Sequence, residues 1–180
     1  MDDRKSWELK DEAIYEDLVK LMGLSDEERK AIAGVKAGAE KVADEMTEAF
    51  YKRLLAHENT AEFLHGQDLA ARKKMIRNWF MELFVGAYNG EYTRQRLKIG
   101  QVHVRIGLPV RYPLAMIDVV MEFGLKAAEG NEVAQRAFRK LVALDIAVFN
   151  QAYENSQLKH LAETVGNERL ARRLLTQDAT

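Results

Sequence analysis

Four histidines, His57, His65, His103 and His160, are the nitrogen ligands this 180-residue chain can offer a metal, and no cysteine stands beside them. The lack of cysteine removes disulfides, thiolate metal sites and thiol nucleophiles together, and it suits a reducing compartment. His103 sits in the run Ile99-Gly100-Gln101-Val102-His103-Val104-Arg105-Ile106-Gly107-Leu108-Pro109. At helical spacing Ile99 and Ile106 flank it, so its imidazole faces an apolar wall. Such a ring can donate to a backbone carbonyl as a core histidine, or lend its lone pair to a metal, and the residue types leave both open. Glu62-Phe63-Leu64-His65 has the Glu-x-x-His spacing of di-iron bundles, but those need it twice, and Gln157 stands where a second copy before His160 would need a glutamate. His57, Glu58 and His65 could hold zinc; a surface loop is the simpler reading. Gly-x-Gly-x-x-Gly, Walker, Gly-x-Ser-x-Gly and His-Glu-x-x-His motifs are all missing, so no active site of those types is encoded. Arg72-Lys73-Lys74 with Arg77 reads as the solvated flank of a helix or as counter-charges for an acidic ligand.

The elements that must position these residues are helices. Apolar residues recur at spacings of 3 and 4, and the two prolines, Pro109 and Pro113, leave everything before them unbroken. A first helix is expected from Ser6 to Leu21, with Trp7, Ile14, Leu18 and Leu21 on one side and Gly23 at its end. Ser25-Asp26-Glu27-Glu28 is a capping box that starts a second helix. Gly34 and Gly38 loosen it before a third helix carries Val42, Met46, Phe50 and Leu54. His57 to Gly66 reads as short and irregular. Leu69 to Ala87 follows, with Ile76, Trp79, Phe80 and Leu83 inward, then Tyr92 to Ile106, stopped at Gly107. Pro109 suits the first position of a helix reaching Glu129. Glu132 to Val165 is the last long helix, broken at Gly166-Asn167 before a charged, unpatterned tail.

Two helices carry apolar residues on two faces. Val110–Ala128 has one stripe of Val110, Leu114, Ile117, Met121 and Leu125 and a second of Met116, Val120, Phe123 and Ala127. The last helix repeats this with Phe138, Leu141, Val142 and Phe149 against Leu144, Ala147 and Val148. Either both lie at the centre of the monomer or their outer faces pair with a second subunit, and a homodimer through 110–128 and 132–165 is the expectation.

Length fits one domain, and the composition is that of an ordinary globular protein, 47% hydrophobic and 31% charged. With 27 Lys+Arg against 28 Asp+Glu and a pI near 6.5, nucleic acid is not the expected partner. No apolar run approaches the roughly 18 residues of a membrane span, so a cytoplasmic protein is expected.

The string Ile99–Pro109, with Trp79-Phe80 before it and Tyr112 after it, resembles the sensor globin domain of globin-coupled sensors, which include haem-based aerotaxis receptors and globin-linked diguanylate cyclases, with protoglobins as relatives. Phe50-Tyr51-Lys52-Arg53 and Ala61-Glu62-Phe63-Leu64 extend the match over about residues 25–155. The resemblance implies an all-α globin fold with an added N-terminal helix (1–24), a globin domain (25–165) and the start of a linker or tail (166–180). It implies haem b, with His103 as proximal iron ligand and Tyr51 as distal hydrogen-bond donor to O2, and CO and NO as further ligands. Leu69 and Met75 fall to the distal pocket, and Phe50, Phe63, Ile76, Trp79, Ile99, Ile106 and Tyr112 to the lining. It also implies a non-enzymatic sensor that regulates a downstream signalling domain, most readily a diguanylate cyclase. A cofactor-free helical adaptor and a nitric oxide dioxygenase-like haem enzyme are the alternatives.

Overall fold

In the computed structural model, Leu9 and residues 12–176 are described, and the regular elements among them are helices without a strand. This is the all-α architecture that the 3-and-4 spacing requires. α1 (Glu12–Met22) buries Tyr15 and half-buries Leu18, Val19 and Met22. Ser6 and Trp7, expected at the start of this helix, lie outside the described residues. Leu21, expected inward, is 80% exposed, because it stands one residue, or about 100°, off the Leu18–Met22 stripe.

Ser25 caps α2 (Asp26–Gly34) as the capping box predicts: its Oγ accepts from the Glu28 amide at 3.2 Å, and Glu28 Oε2 accepts from the Ser25 amide at 2.9 Å. The same carboxylate, buried, also accepts from Arg136 and Lys140 at 2.9 Å each. Burial pushes its pKa up, but Lys140, the Ser25 amide and Arg136 hold it down at about 2. One side chain thus starts α2 and ties it to α9 (Glu132–Val165).

Gly34 ends α2, and Gly38 lies inside the first turn of α3 (Lys36–Ala56). The stretch expected to be irregular instead forms α4 (Glu58–Ala61) and a 3-10 turn (Glu62–Leu64). Asp68 caps α5 (Leu69–Glu82), which stops short of Ala87. The amides of Leu83 and Phe84 bond to carbonyls three residues back, and the tightened turn buries both side chains. Asn89 caps α6 (Gly90–Arg105).

The single helix expected from Pro109 to Glu129 is two: α7 (Arg111–Ala115) and α8 (Ile117–Ala127). Pro109 precedes the cap residue Val110, so it is not the first helical residue, and Pro113 withholds an amide inside α7. Met116 then closes α7 with a 3.2 Å bond to the Pro113 carbonyl, and this kink leaves its side chain buried.

α9 ends at Gly166, whose φ of 73° is the left-handed conformation that favours glycine at a helix end. Asn167 then caps α10 (Glu168–Thr176), accepting from the Leu170 amide at 2.8 Å. The tail expected to be unpatterned is therefore helical over Glu168–Thr176, packed back on α9 with Ala171 buried.

α6 and α2 pack on α9, and α3 packs on α8 and α5, around a core in which Phe84 stacks on Phe138 at 5.3 Å and Phe80 packs edge-on to Phe84 at 5.2 Å. Gly100 sets the closest approach of α6 to α9: a Cβ there would lie 2.6 Å from Ala152 Cβ and 2.9 Å from the Phe149 carbonyl oxygen. Leu144 and Val148, expected on an outer face, are each 1% exposed in the monomer core. The two-sided character of α9 comes from being wrapped by its own chain. On α8 the second stripe is buried, while Ile117, Met121 and Leu125 are half-buried.

Candidate functional site

α3, α5, α6, the α6–α7 turn and α9 enclose a cavity of about 490 Å³, within the roughly 300–1,000 Å³ usual for small-molecule sites. Its wall is mostly apolar. Of the residues picked out from sequence, His103, Tyr51, Phe50, Phe63, Met75, Ile76, Trp79, Ile99, Ile106 and Tyr112 all line it. Leu69 does not: it opens the first turn of α5, and Arg72 is the first α5 side chain to reach the lining. Met75 and Ile106 are 58% and 49% exposed, two large apolar side chains left open beside the same hollow.

His103 stands in the last turn of α6, its ring edge-on to Phe149 at 5.2 Å. Its Nδ1 lies 2.8 Å from the Ile99 carbonyl oxygen. A carbonyl can only accept, so the proton sits on Nδ1 and Nε2 keeps its lone pair. Burial lowers the imidazole's pKa, with Arg72 adding to the effect against the pull of the Ile99 carbonyl. The shift favours the neutral ring with its Nε2 open. The hydrogen bond to Ile99 belongs equally to a core histidine and to an iron ligand, whose outer nitrogen is held in this way.

Tyr51, from α3, is 6% exposed, and its hydroxyl has no hydrogen-bond partner among the described residues. Burial raises its pKa, moderated by Arg72, so it stays a protonated donor. No fully buried side-chain polar atom among the described residues lacks a partner, so this hydroxyl opens onto the cavity, where water or a ligand can accept from it.

The basic run of α5 divides by partner. Lys73 pairs with Glu48 at 2.6 Å, and Arg77 with Glu40 and Asp44 at 2.7 and 2.6 Å, all on α3. Arg72 instead lines the cavity, donating to Gln67 at 2.8 Å. The His57 ring lies tilted against Tyr112 at 5.7 Å, and His65 reaches the cavity's edge. Among the described residues no group of three or more His, Cys, Asp or Glu is placed to hold a metal ion. No helix among them is long and apolar enough to cross a membrane.

Two charged residues that the sequence did not single out also line the wall. Asp145 of α9, 5% exposed, accepts from Trp79 Nε1 at 3.0 Å, from Arg96 Nε at 2.8 Å and from the Tyr92 hydroxyl. Arg96 also bonds Glu82 and lies 4.2 Å over the Tyr92 ring. Burial pushes the Asp145 carboxyl up against the pull of these donors; burial lowers Arg96, but Asp145, Tyr92 and Glu82 together outweigh it and raise the group. The signal was a lone acidic residue in the apolar run Leu144-Asp145-Ile146, where only a buried partner makes a charge tolerable.

A family profile described as Protoglobin matches residues 11–159. The heme-based aerotactic transducer HemAT of Halobacterium salinarum is 25% identical over 173 residues, covering 86% of this chain and 35% of that protein. The chain therefore corresponds to well under two thirds of that relative's length. Among solved structures, the globin domain of a Geobacter sulfurreducens globin-coupled sensor aligns with a TM-score of 0.72 at 27% identity, over 77% of this chain and 96% of that one.

Proposed function

Because the chain belongs to the protoglobin family over residues 11–159, we propose that it is a haem-binding oxygen sensor domain that regulates a signalling output. The output is a diguanylate cyclase or, as the name of the Halobacterium relative suggests, an aerotactic transducer. The observation that carries the reading is a single apolar cavity holding both a histidine with a free Nε2 and a tyrosine hydroxyl with no protein partner. The residues fit haem b: apolar walls for the ring, one imidazole for the iron, and Arg72 as a cation for the carboxylates. When bound, haem would be held through its iron by His103 and would supply a metal able to take up a diatomic gas.

The chain's own residues do the rest. The Ile99 carbonyl orients the His103 ring and makes Nε2 more basic. Tyr51 offers its proton to dioxygen, a better acceptor than CO, which separates the two gases by hydrogen bonding rather than by size. Met75 cannot donate, so no second donor to the gas comes from its position. The protein is a sensor and not itself an enzyme, works in the cytoplasm and forms a homodimer. The half-buried Met121 and Leu125 of α8 supply its contact, with Ile117 turned to the cavity and Leu144 and Val148 excluded as core residues.

Visible spectroscopy of the purified chain after addition of haemin tests the reading. A Soret band that His103→Ala loses, and that free imidazole restores, is expected. A chain that takes up no haem would be the cofactor-free adaptor.

A further inference from the structure

Asp145 and Arg96 line the cavity, yet neither ligates nor donates in the function proposed above. Their burial is costly, and an apolar pair of the same volume would stabilise the fold as well or better. Geometry gives the pair another use. Three helices meet at one carboxylate: Trp79 comes from α5, Tyr92 and Arg96 from α6, and Asp145 from α9. Arg96 precedes His103 by seven residues, two turns of α6, so both side chains leave the same face of one rigid rod. The guanidinium presents its donors in a fixed fork, which makes its grip on Asp145 and Glu82 strict in angle as well as distance. Beyond Asp145, the Tyr92 ring packs on Tyr88 at 5.1 Å and on Tyr15 of α1 at 6.4 Å, and Tyr15 donates to the Tyr88 carbonyl.

We propose that Asp145 is a positioning residue: through Arg96 it sets the height and rotation of the His103 imidazole in the cavity, and it passes displacement of α6 to α9 and, through Tyr92, to α1. This rests on the haem-binding reading. The carboxylate is the joint where a helix that feels the cavity's contents meets the two elements that reach away from it. Trp79 shares the joint, so the α5 wall is held to the same reference point.

The test uses the full chain loaded with haem. Asp145→Asn keeps the shape and an acceptor but removes the charge. Its ferrous, gas-free form is expected to show a shifted iron–histidine stretching band in resonance Raman. The CO-dependent change in amide hydrogen exchange over residues 12–22 and 141–152 is expected to be lost. An unchanged band with an unchanged CO response, whatever happens to the melting temperature, would mean that Asp145 only holds the fold together. Should Asp145→Asn not fold, Trp79→Phe removes one donor and keeps a ring; a smaller shift of the same band is expected, and none overturns the proposal. If the wild-type chain takes up no haem, the functional reading falls, and the joint is judged in the ligand-free chain by a double-mutant cycle of Trp79→Phe with Tyr15→Phe. Non-additive stabilities support the joint, and additive ones overturn it.

Discussion

Tyr51 and Tyr92 are the same residue at the same 6% exposure, buried in opposite ways. Tyr92 donates to a carboxylate, carries a guanidinium over its ring and touches two further tyrosines. Tyr51 meets Phe50 edge-on at 5.8 Å and leaves its hydroxyl unanswered. The Asp145 cluster on the α6–α9 side is satisfied before any ligand arrives, whereas the Tyr51 hydroxyl on the α3 side opens onto the cavity without a protein partner. Burial alone therefore does not tell the two tyrosines apart; what their hydroxyls meet, a carboxylate or an open hollow, does.

The largest test of this contrast is on the satisfied side. Asp145→Ala strands Arg96 in the interior and should cost about 3–5 kcal/mol in urea unfolding of the ligand-free chain. Tyr92→Phe leaves a carboxylate oxygen without its donor and should cost about 1–3 kcal/mol in the same experiment. Tyr51→Phe should leave that stability within about 0.5 kcal/mol of wild type, since no protein partner is lost. If Tyr51→Phe proves as damaging as Tyr92→Phe, the two sides are alike and the contrast fails. With haem bound, Tyr51→Phe should instead speed oxygen release by roughly 2- to 13-fold, the equivalent of one hydrogen bond of about 0.5–1.5 kcal/mol, with CO release nearly unchanged in stopped flow. Equal acceleration of both gases would mean that Tyr51 acts by shape. The smallest effect belongs to a pair that is bonded but wet: Arg53 and Asp118 have side chains 49% and 63% exposed, and Arg53→Ala should cost only about 0.2–1 kcal/mol.

What could be read from sequence divides along the same line. Local signals were legible: the Ser25–Glu28 capping box, the Asn131 start of α9, the Gly166 stop and the run around His103 all act within a few residues of themselves. The cavity side chains followed from that run and from Phe50-Tyr51 through a family resemblance, since periodicity alone left His103 as either a core residue or a ligand. Non-local facts were hidden. Leu144 and Val148 look outward-facing on a helical wheel, and only the close approach of α6 at Gly100 and the wrapping by the chain's other helices make them core. The kink at Met116 needs the position of Pro113 relative to a cap that the sequence does not mark. Arg96 and Asp145 are 49 positions apart, and each reads as an ordinary charge until the other is placed beside it.

Gly100 lies between Arg96 and His103, where the backbones of α6 and α9 all but touch. Helices kept apart by large side chains can roll or separate, but at this point the missing side chain leaves no cushion to compress. The contact acts as a fulcrum. A tilt of α6 about it moves the His103 end and the Arg96 end in opposite senses, on arms of about 4.5 and 6 Å. An imidazole drawn toward the cavity would thus draw the guanidinium, which leaves the same face, back from the carboxylate, and the lever would magnify the stroke by about a third. A larger residue at position 100 would move the pivot before it changed either of the groups at the ends.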